Sequence, residues 1–189
     1  MQPLVSFVAP IYNYYPILIP ALISQEYQNW ELIIIHDSPN SNMEDLVKSF
    51  NESRIKYMST KERYNDWGHS LRPIGLQNVS QNSDYVIVTN ADNYYLPQFL
   101  LLMIEPLVQD NDIVATYCNF LNRKQLNNSR LIHGGIDCGN FMVRTYIAKK
   151  IGWVGREFAA DWRFINSIIE KFGESSIKKI PDDVLFVHN

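Results

Sequence analysis

Cysteine is scarce. Cys118 and Cys138 are the only two in 189 residues and have no C-x-x-C spacing, which excludes a zinc ribbon and a disulfide framework and fits a reducing compartment. Long apolar runs are missing as well: no stretch approaches the ~20 residues that cross a bilayer, and no charged leader with an apolar core opens the chain. Cytoplasmic residence without a transmembrane segment is the expectation. Excess positive charge is also absent. A formal net charge of -3 leaves no basic stripe to neutralise a phosphate backbone, so nucleic acid is excluded as principal partner.

Linkers and repeats are lacking too, which makes 1–189 a single domain. The glycine patterns of nucleotide sites are missing in turn. The first apolar run is followed by Ala9-Pro10-Ile11-Tyr12-Asn13, not by G-x-G-x-x-G, and no G-x-x-x-x-G-K-[ST] occurs. A dinucleotide turn and a P-loop are thereby excluded, and any phosphate must be met by a metal and arginine. Three Asn-x-Ser tripeptides, at Asn51, Asn78 and Asn127, carry no weight without an export signal.

The elements that are present alternate. Leu4 to Ala9, ended by Pro10, and Glu31 to His36 read as strands buried on two faces. Between them Ile17 to Ser24 reads as a helix that tolerates Pro20 only in its first turn. Helix Met43 to Phe50, strand Arg54 to Met58, helix Ser70 to Ser80, strand Asp84 to Thr89, helix Pro97 to Val108 and strand Asp112 to Asn119 continue the rhythm. Such alternation predicts an α/β fold with a doubly wound, mainly parallel sheet. Residues 121–139 read as a long polar loop. Strand Asn140 to Arg144, helices Thr145 to Ile151 and Asp161 to Phe172, and strand Val184 to Val187 complete the chain.

Ligands of open α/β sheets bind beyond the carboxyl ends of the strands. Pro10, Tyr12 and Asn13 stand there, as do Asp37, then Asn90, Ala91, Asp92 and Asn93, and finally His188. Strands lying side by side would bring Asp37, Asp92 and His188 to one edge. Two carboxylates and an imidazole suit a divalent cation, with a pyrophosphate completing the shell. The competing reading makes both aspartates helix caps.

At these residues the sequence resembles the family 2 glycosyltransferases, inverting enzymes of GT-A fold. Val5 to Asn13 resembles the family's opening strand, Ser24 to Glu31 its Gln-x-Tyr-x-Asn-x-Glu segment, and Gly68-His69-Ser70-Leu71-Arg72 its Gly-x-x-x-Ala-Arg stretch. His36-Asp37-Ser38-Pro39 stands for Asp-Asp-Gly-Ser, Asn90-Ala91-Asp92 for Asp-x-Asp, and Ala160-Asp161-Trp162 for Glu-Asp-Trp. The resemblance implies a mixed GT-A sheet with a nucleotide-sugar half, 1–93, and an acceptor and catalytic-base half, 94–189. It implies a nucleotide-sugar donor, UDP-linked, bound by Pro10, Tyr12, Asp37, Arg72, Asn90, Ala91 and Asp92, with Asp37 on the base. Asp92 and His188 would hold Mn2+ or Mg2+, and Asp161 would be the general base.

The acceptor, a glycan, a lipid-linked group or a protein, is set by 121–139 and 152–160. Asp137, Asn140 and Trp162 are its expected neighbours, although Asp137, Gly139 and Asn140 also suit a turn. A helix N-cap is the lesser alternative for Asp161, and a frayed terminus an equal one for His188. Tyr12, Trp67, Trp153 and Trp162 offer faces to base or sugar unless they fill the core. The replacements His36, Asn90 and Ala160 motivate a second reading, a catalytically silent sugar-nucleotide binding module. A sugar nucleotidyltransferase is a third, and a homo-oligomer stays open.

Overall fold

A computed structural model describes residues 2–122 and 124–188. The first half alternates as expected: β1 (Leu4–Ile11), α1 (Leu18–Ile23), β2 (Trp30–His36), α2 (Ser41–Ser49), β3 (Ile55–Ser59), α3 (Leu71–Asn78) and β4 (Ser83–Val88). After it come β5 (Tyr94–Tyr95), α4 (Phe99–Gln109), β6 (Ala115–Asn122), β7 (Gln125–Asn127), β8 (Phe141–Arg144), α5 (Thr145–Ile151), α6 (Ala160–Phe172) and β9 (Ile177–His188). They form one sheet in the order β3-β2-β1-β4-β8-β6-β9-β5, with β7 beside β6.

The β3, β2, β1 and β4 pairings are all parallel, whereas the far side is mixed: β8 runs antiparallel to both β4 and β6, and β9 is parallel to β6. Period-two burial explains the layers. Phe7, Ala9, Leu32, Ile34 and Ile87 share one core with α1, α2 and α4. Val8, Ile33, Ile35, Val86 and Val88 share the other with α3, α5 and α6. Strands apolar on both faces must be covered on both, and six amphipathic helices do so.

Three expectations need correction. Pro10 does not end β1, which continues to Ile11. The β1–β4 ladder stops at the Val8–Val88 pair, so the missing proline N–H faces a side that no longer needs a donor. The segment 121–139 is not a continuous loop. Its start extends β6, Gln125–Asn127 folds back on β6 as β7, and Cys138–Asn140 forms a 3-10 turn. The last strand starts at Ile177 rather than Val184, because the Lys178-Lys179 stretch beside β6 is too polar to read as a buried run.

One buried acid ties the parallel half together. Glu31 accepts hydrogen bonds from Ser6 Oγ, Lys56 Nζ and both N–H and Oγ of Ser80. Burial pushes its carboxyl up, but the bonds from Lys56, Ser6 and Ser80 outweigh that and hold it below the ordinary value. Close packing does the rest at Gly75. A Cβ there would lie 2.2 Å from Val8 Cγ1 and 2.8 Å from Ile35 Cδ1, so α3 can press onto the sheet only without a side chain.

Overpacking at Gly75→Ala should cost toward the upper end of about 1–3 kcal/mol, because Val8 is β-branched and restricted at χ1. The helix-propensity gain of ~1 kcal/mol offsets part of it, leaving a net destabilisation of up to about 2 kcal/mol. A lowered urea midpoint at unchanged slope would bear this out; a raised midpoint would refute it.

Candidate functional site

The carboxyl ends of β1, β2 and β4 and the last residue of β9 open onto one cleft of about 830 Å3. Pro10, Tyr12, Asp37, Arg72, Asn90, Ala91, Asp92, Asp137, Asp161, Trp162 and His188 all line it; Asn140 does not. Asn140 is fully buried and spends its amide on the carbonyl of Cys118, Ser129 Oγ and the Asp137 N–H. Its part is to build the turn that carries Asp137.

Asp37 is not a helix cap. Asn40 caps α2, while the two oxygens of Asp37 accept the backbone N–H groups of Tyr64 at 2.7 Å and Asn65 at 2.9 Å. The loop from β3 to α3 is thereby pinned to the end of β2. Gly68 continues it against β1: its φ is +80°, and an added Cβ would sit 2.5 Å from Pro10 Cβ. Arg72 fixes the loop from the other side. Its Nη1 donates to the Trp67 carbonyl at 2.8 Å and its Nη2 to Asn90 Oδ1 at 2.7 Å, and its guanidinium lies 4.7 Å over Trp153. Trp153 itself is a core residue, packed on Phe164.

Opposite these lies an acidic wall. Asp137 accepts the Gly139 N–H at 2.7 Å through Oδ1, so it does form a turn, and its Oδ2 lies 3.9 Å from His188 Nδ1. His188 is not frayed, since β9 is paired with Asn122 on one side and Tyr94–Tyr95 lies along the other. Its Nδ1 also stands 3.1 Å from Asn93 Oδ1. The Asn93 amide is oriented by Nδ2 donating to Thr89 Oγ1, so His188 Nδ1 is the donor and Nε2 keeps the free lone pair.

Asp92 is half-buried, and its Oδ1 is sealed from water with no hydrogen-bond partner. Burial raises its carboxyl above the ordinary value and Asp137 adds to the rise, against its own backbone and His188. A sealed, unpartnered carboxylate oxygen beside an imidazole with a free Nε2 fits a divalent cation. The three-ligand set of Asp37, Asp92 and His188 is not formed, however: Asp37 is spent on the loop, and no group of three such side chains is arranged to hold a metal among the described residues.

Asp161 is not an N-cap either. Ala159 occupies that position, and Asp161 is the second residue of α6, with Oδ1 accepting the Trp162 N–H at 2.7 Å. A carboxylate there gains from the helix dipole. Burial and then Asp137 nonetheless outweigh the Trp162 N–H and Arg72, and hold the Asp161 carboxyl above its ordinary value. A raised carboxyl facing a cleft is the environment of an acid or base.

The glycosyl transferase family 2 model matches residues 6–167. The chain belongs to that family. Among curated proteins it is 26% identical over 132 residues to the Escherichia coli UDP-Glc:alpha-D-GlcNAc-diphosphoundecaprenol beta-1,3-glucosyltransferase WfgD, covering 68% of this chain and 49% of that one. It is 21% identical over 172 residues to glycosyltransferase GlyG of Streptococcus pneumoniae, covering 88% and 54%. The chain thus spans about half the length of these relatives. Among solved structures, S. aureus TarS 1-349 in complex with UDP-GlcNAc superposes with a TM-score of 0.73 at 13% identity, over 99% of this chain and 58% of that one. Mannosyltransferase PcManGT of Pyrobaculum calidifontis, in complex with GDP-Man and Mn2+, gives 0.72 at 16%, over 100% and 57%. These likenesses establish the GT-A fold.

Within this family 2 domain, other cleft-lining side chains went unread in the sequence: Arg63, Asn65, His133 and Phe158. Nothing in their local pattern separates them from ordinary polar loops. Trp67 had one signal, a bulky aromatic in a polar turn between Asp66 and Gly68.

Asp137→Asn keeps the oxygen that accepts from Gly139 but removes the charge that helps to raise Asp161 and Asp92. If Asp161 must be ionised for turnover, the acid limb of the kcat/KM profile lies above the ordinary aspartate range in the parent and moves to lower pH in Asp137→Asn. An acid limb that stays in place would show that Asp137 does not act on Asp161 through its charge.

Proposed function

We propose that this domain is an inverting glycosyltransferase that moves a sugar from a nucleoside-diphosphate donor, UDP-linked, to an acceptor hydroxyl. The observation that carries the reading is the shared cleft of Asp92 and Asp161, each with its carboxyl raised by burial and by the same neighbour, Asp137. WfgD, named for UDP-Glc, and TarS, crystallised with UDP-GlcNAc, support the uridine donor. Residues 1–93 would take the nucleotide and 94–189 the acceptor and base.

Asp92 and His188 would hold the divalent cation, Mn2+ or Mg2+, whose chemistry is to offset charge on a diphosphate. Tyr12, half exposed with the Arg63 guanidinium 5.8 Å over its ring, would stack on the base with its remaining face, and Asp37 fixes the loop beside it. Asn90 has an acceptor lone pair left for a ribose hydroxyl after taking the Arg72 bond. Asp161 removes the proton of the acceptor hydroxyl as that oxygen bonds to the anomeric carbon. The bond from that carbon to the diphosphate oxygen breaks on the opposite face, which inverts the configuration. The Trp162 N–H on Oδ1 holds the base in orientation and leaves Oδ2 for the proton.

Asp161→Asn should bind UDP in the presence of Mn2+ as the parent does while losing about 10²–10⁴-fold in kcat, the usual weight of a general base. Release of UDP from a panel of UDP-sugars, with and without EDTA, checks both base and metal. Binding without turnover in the parent would instead identify a silent sugar-nucleotide module, and pyrophosphate release from a nucleoside triphosphate would identify a nucleotidyltransferase.

A further inference from the structure

Two aromatic side chains on the cleft are far more exposed than a folded chain ordinarily leaves them. Trp67 is 74% exposed and Phe158 is 93% exposed, and both line the cleft that holds Asp161. The segment that carries Trp67 is not slack. The Trp67 backbone is gripped by Arg72 on its carbonyl, by Asp37 on the N–H groups of Tyr64 and Asn65, and by the close approach of Gly68 to Pro10. It is also held at φ +54°, a left-handed conformation that a bulky residue adopts only under constraint.

The two loops meet. Asp66, next to Trp67, lies 3.8 Å from Arg156 Nε, and Trp153 Nε1 donates to His69 Nδ1 at 3.3 Å. Residues 65–69 are therefore joined to 153–158, which runs directly into Asp161. A strained backbone that holds a tryptophan in water, beside a loop that does the same with a phenylalanine, gains nothing for stability. Strain kept at such a position is the mark of a functional site.

The geometry points to Trp67 and Phe158 as an aromatic platform for the acceptor, and to that acceptor as the uncharged pyranose end of a saccharide. An indole face packs well against the C–H face of a pyranose, since both are flat and partly apolar. The same cleft carries Asp137 and Asp161, which accept sugar hydroxyls but repel an acceptor phosphate or carboxylate that has no cation of its own, unlike the donor diphosphate met at Asp92. Arg72 does not reverse this, because both of its Nη groups are committed to Trp67 and Asn90, and Arg63, the other guanidinium lining the cleft, lies 5.8 Å over the Tyr12 ring on the side assigned to the base. This assignment rests on the transferase reading above and narrows its acceptor to a neutral sugar.

Saturation-transfer difference NMR on the full chain with UDP and Mg2+ tests it. The probes are methyl glycosides of glucose, galactose, mannose and N-acetylglucosamine, with methyl glucuronide as the anionic control and a Ser/Thr peptide as the protein-like control. A neutral pyranoside should give signal. Trp67→Ala and Phe158→Ala should weaken it about tenfold, the worth of one good stacking contact, and Trp67→Phe should restore most of it. Trp67→Asn guards against misfolding: asparagine tolerates a positive φ, so this variant should keep or raise Tm while losing the pyranoside signal.

A UDP-induced Tm shift without any neutral pyranoside signal overturns the platform and leaves the donor reading standing. So does a preference for the glucuronide or the peptide, or a pyranoside signal indifferent to both aromatic substitutions. Absence of a UDP-induced shift in the parent overturns the donor reading and the platform together.

Discussion

Three carboxylates, Asp92, Asp137 and Asp161, gathered in one partly enclosed cleft are the constraint around which the molecule is organised. Like charges in a medium of reduced dielectric oppose one another, and each is costly to keep ionised away from water. Asp137 raises both of the others, and one oxygen of Asp92 has no partner at all. Such an arrangement stores unfavourable free energy that a cation at one end and a proton at the other can relieve. Under the proposed transferase reading, the cation would bring positive charge to Asp92 and the acceptor hydroxyl a labile proton to Asp161.

The sheet makes this possible by dividing the work. Its parallel half is pinned from within by Glu31, whose bonds to Ser6, Lys56 and Ser80 lie far from the cleft, so the carboxyl ends of β1, β2 and β4 can hold polar groups without loosening the strands. The mixed half delivers what parallel crossovers alone would not. Strand β9 returns beside β6 and carries His188 to the same edge, and the turn before β8 sets Asp137 between Asp92 and Asp161. Arg72 joins the two sides by holding Asn90 and Trp67 while stacking on Trp153 of the last loop.

Much of this was legible in the sequence, and the reasons differ by element. The strands of the first half were plain because burial on both faces leaves unbroken apolar runs such as Leu32 to Ile35, and the polar residues just after them fall at the cleft by topology alone. Strand β9 was half missed because Lys178, which is exposed, and Lys179, which donates to Asn128, disguise its start. Side-chain commitments were not legible at all. Asp37 and Asp92 look equivalent in the sequence, yet one is satisfied by two backbone N–H groups and the other keeps a sealed, unpartnered oxygen. Asn140 resembled a site residue and proved to be the buried support of one. Such differences arise from which backbone donors the tertiary fold brings within about 3 Å, and no local pattern encodes that.

The replacements at three motif positions are better understood as structural exchanges than as losses. His36 turns its Nδ1 to the Ser38 carbonyl, Asn90 binds Arg72 in place of a carboxylate, and Ala160 is wholly buried against the core at the first turn of α6. Relative to the motifs resembled, each exchange leaves one negative charge fewer in or beside a cleft already lined by four aspartates, Asp37, Asp92, Asp137 and Asp161. An acid at 90 would have drawn Arg72 into an ion pair and added a further charge beside Asp92, and an acid at 160 would have had to be buried beside Asp161. With Asn and Ala there, Asp92 and Asp161 stay free for the separate tasks proposed for them, a cation and a proton.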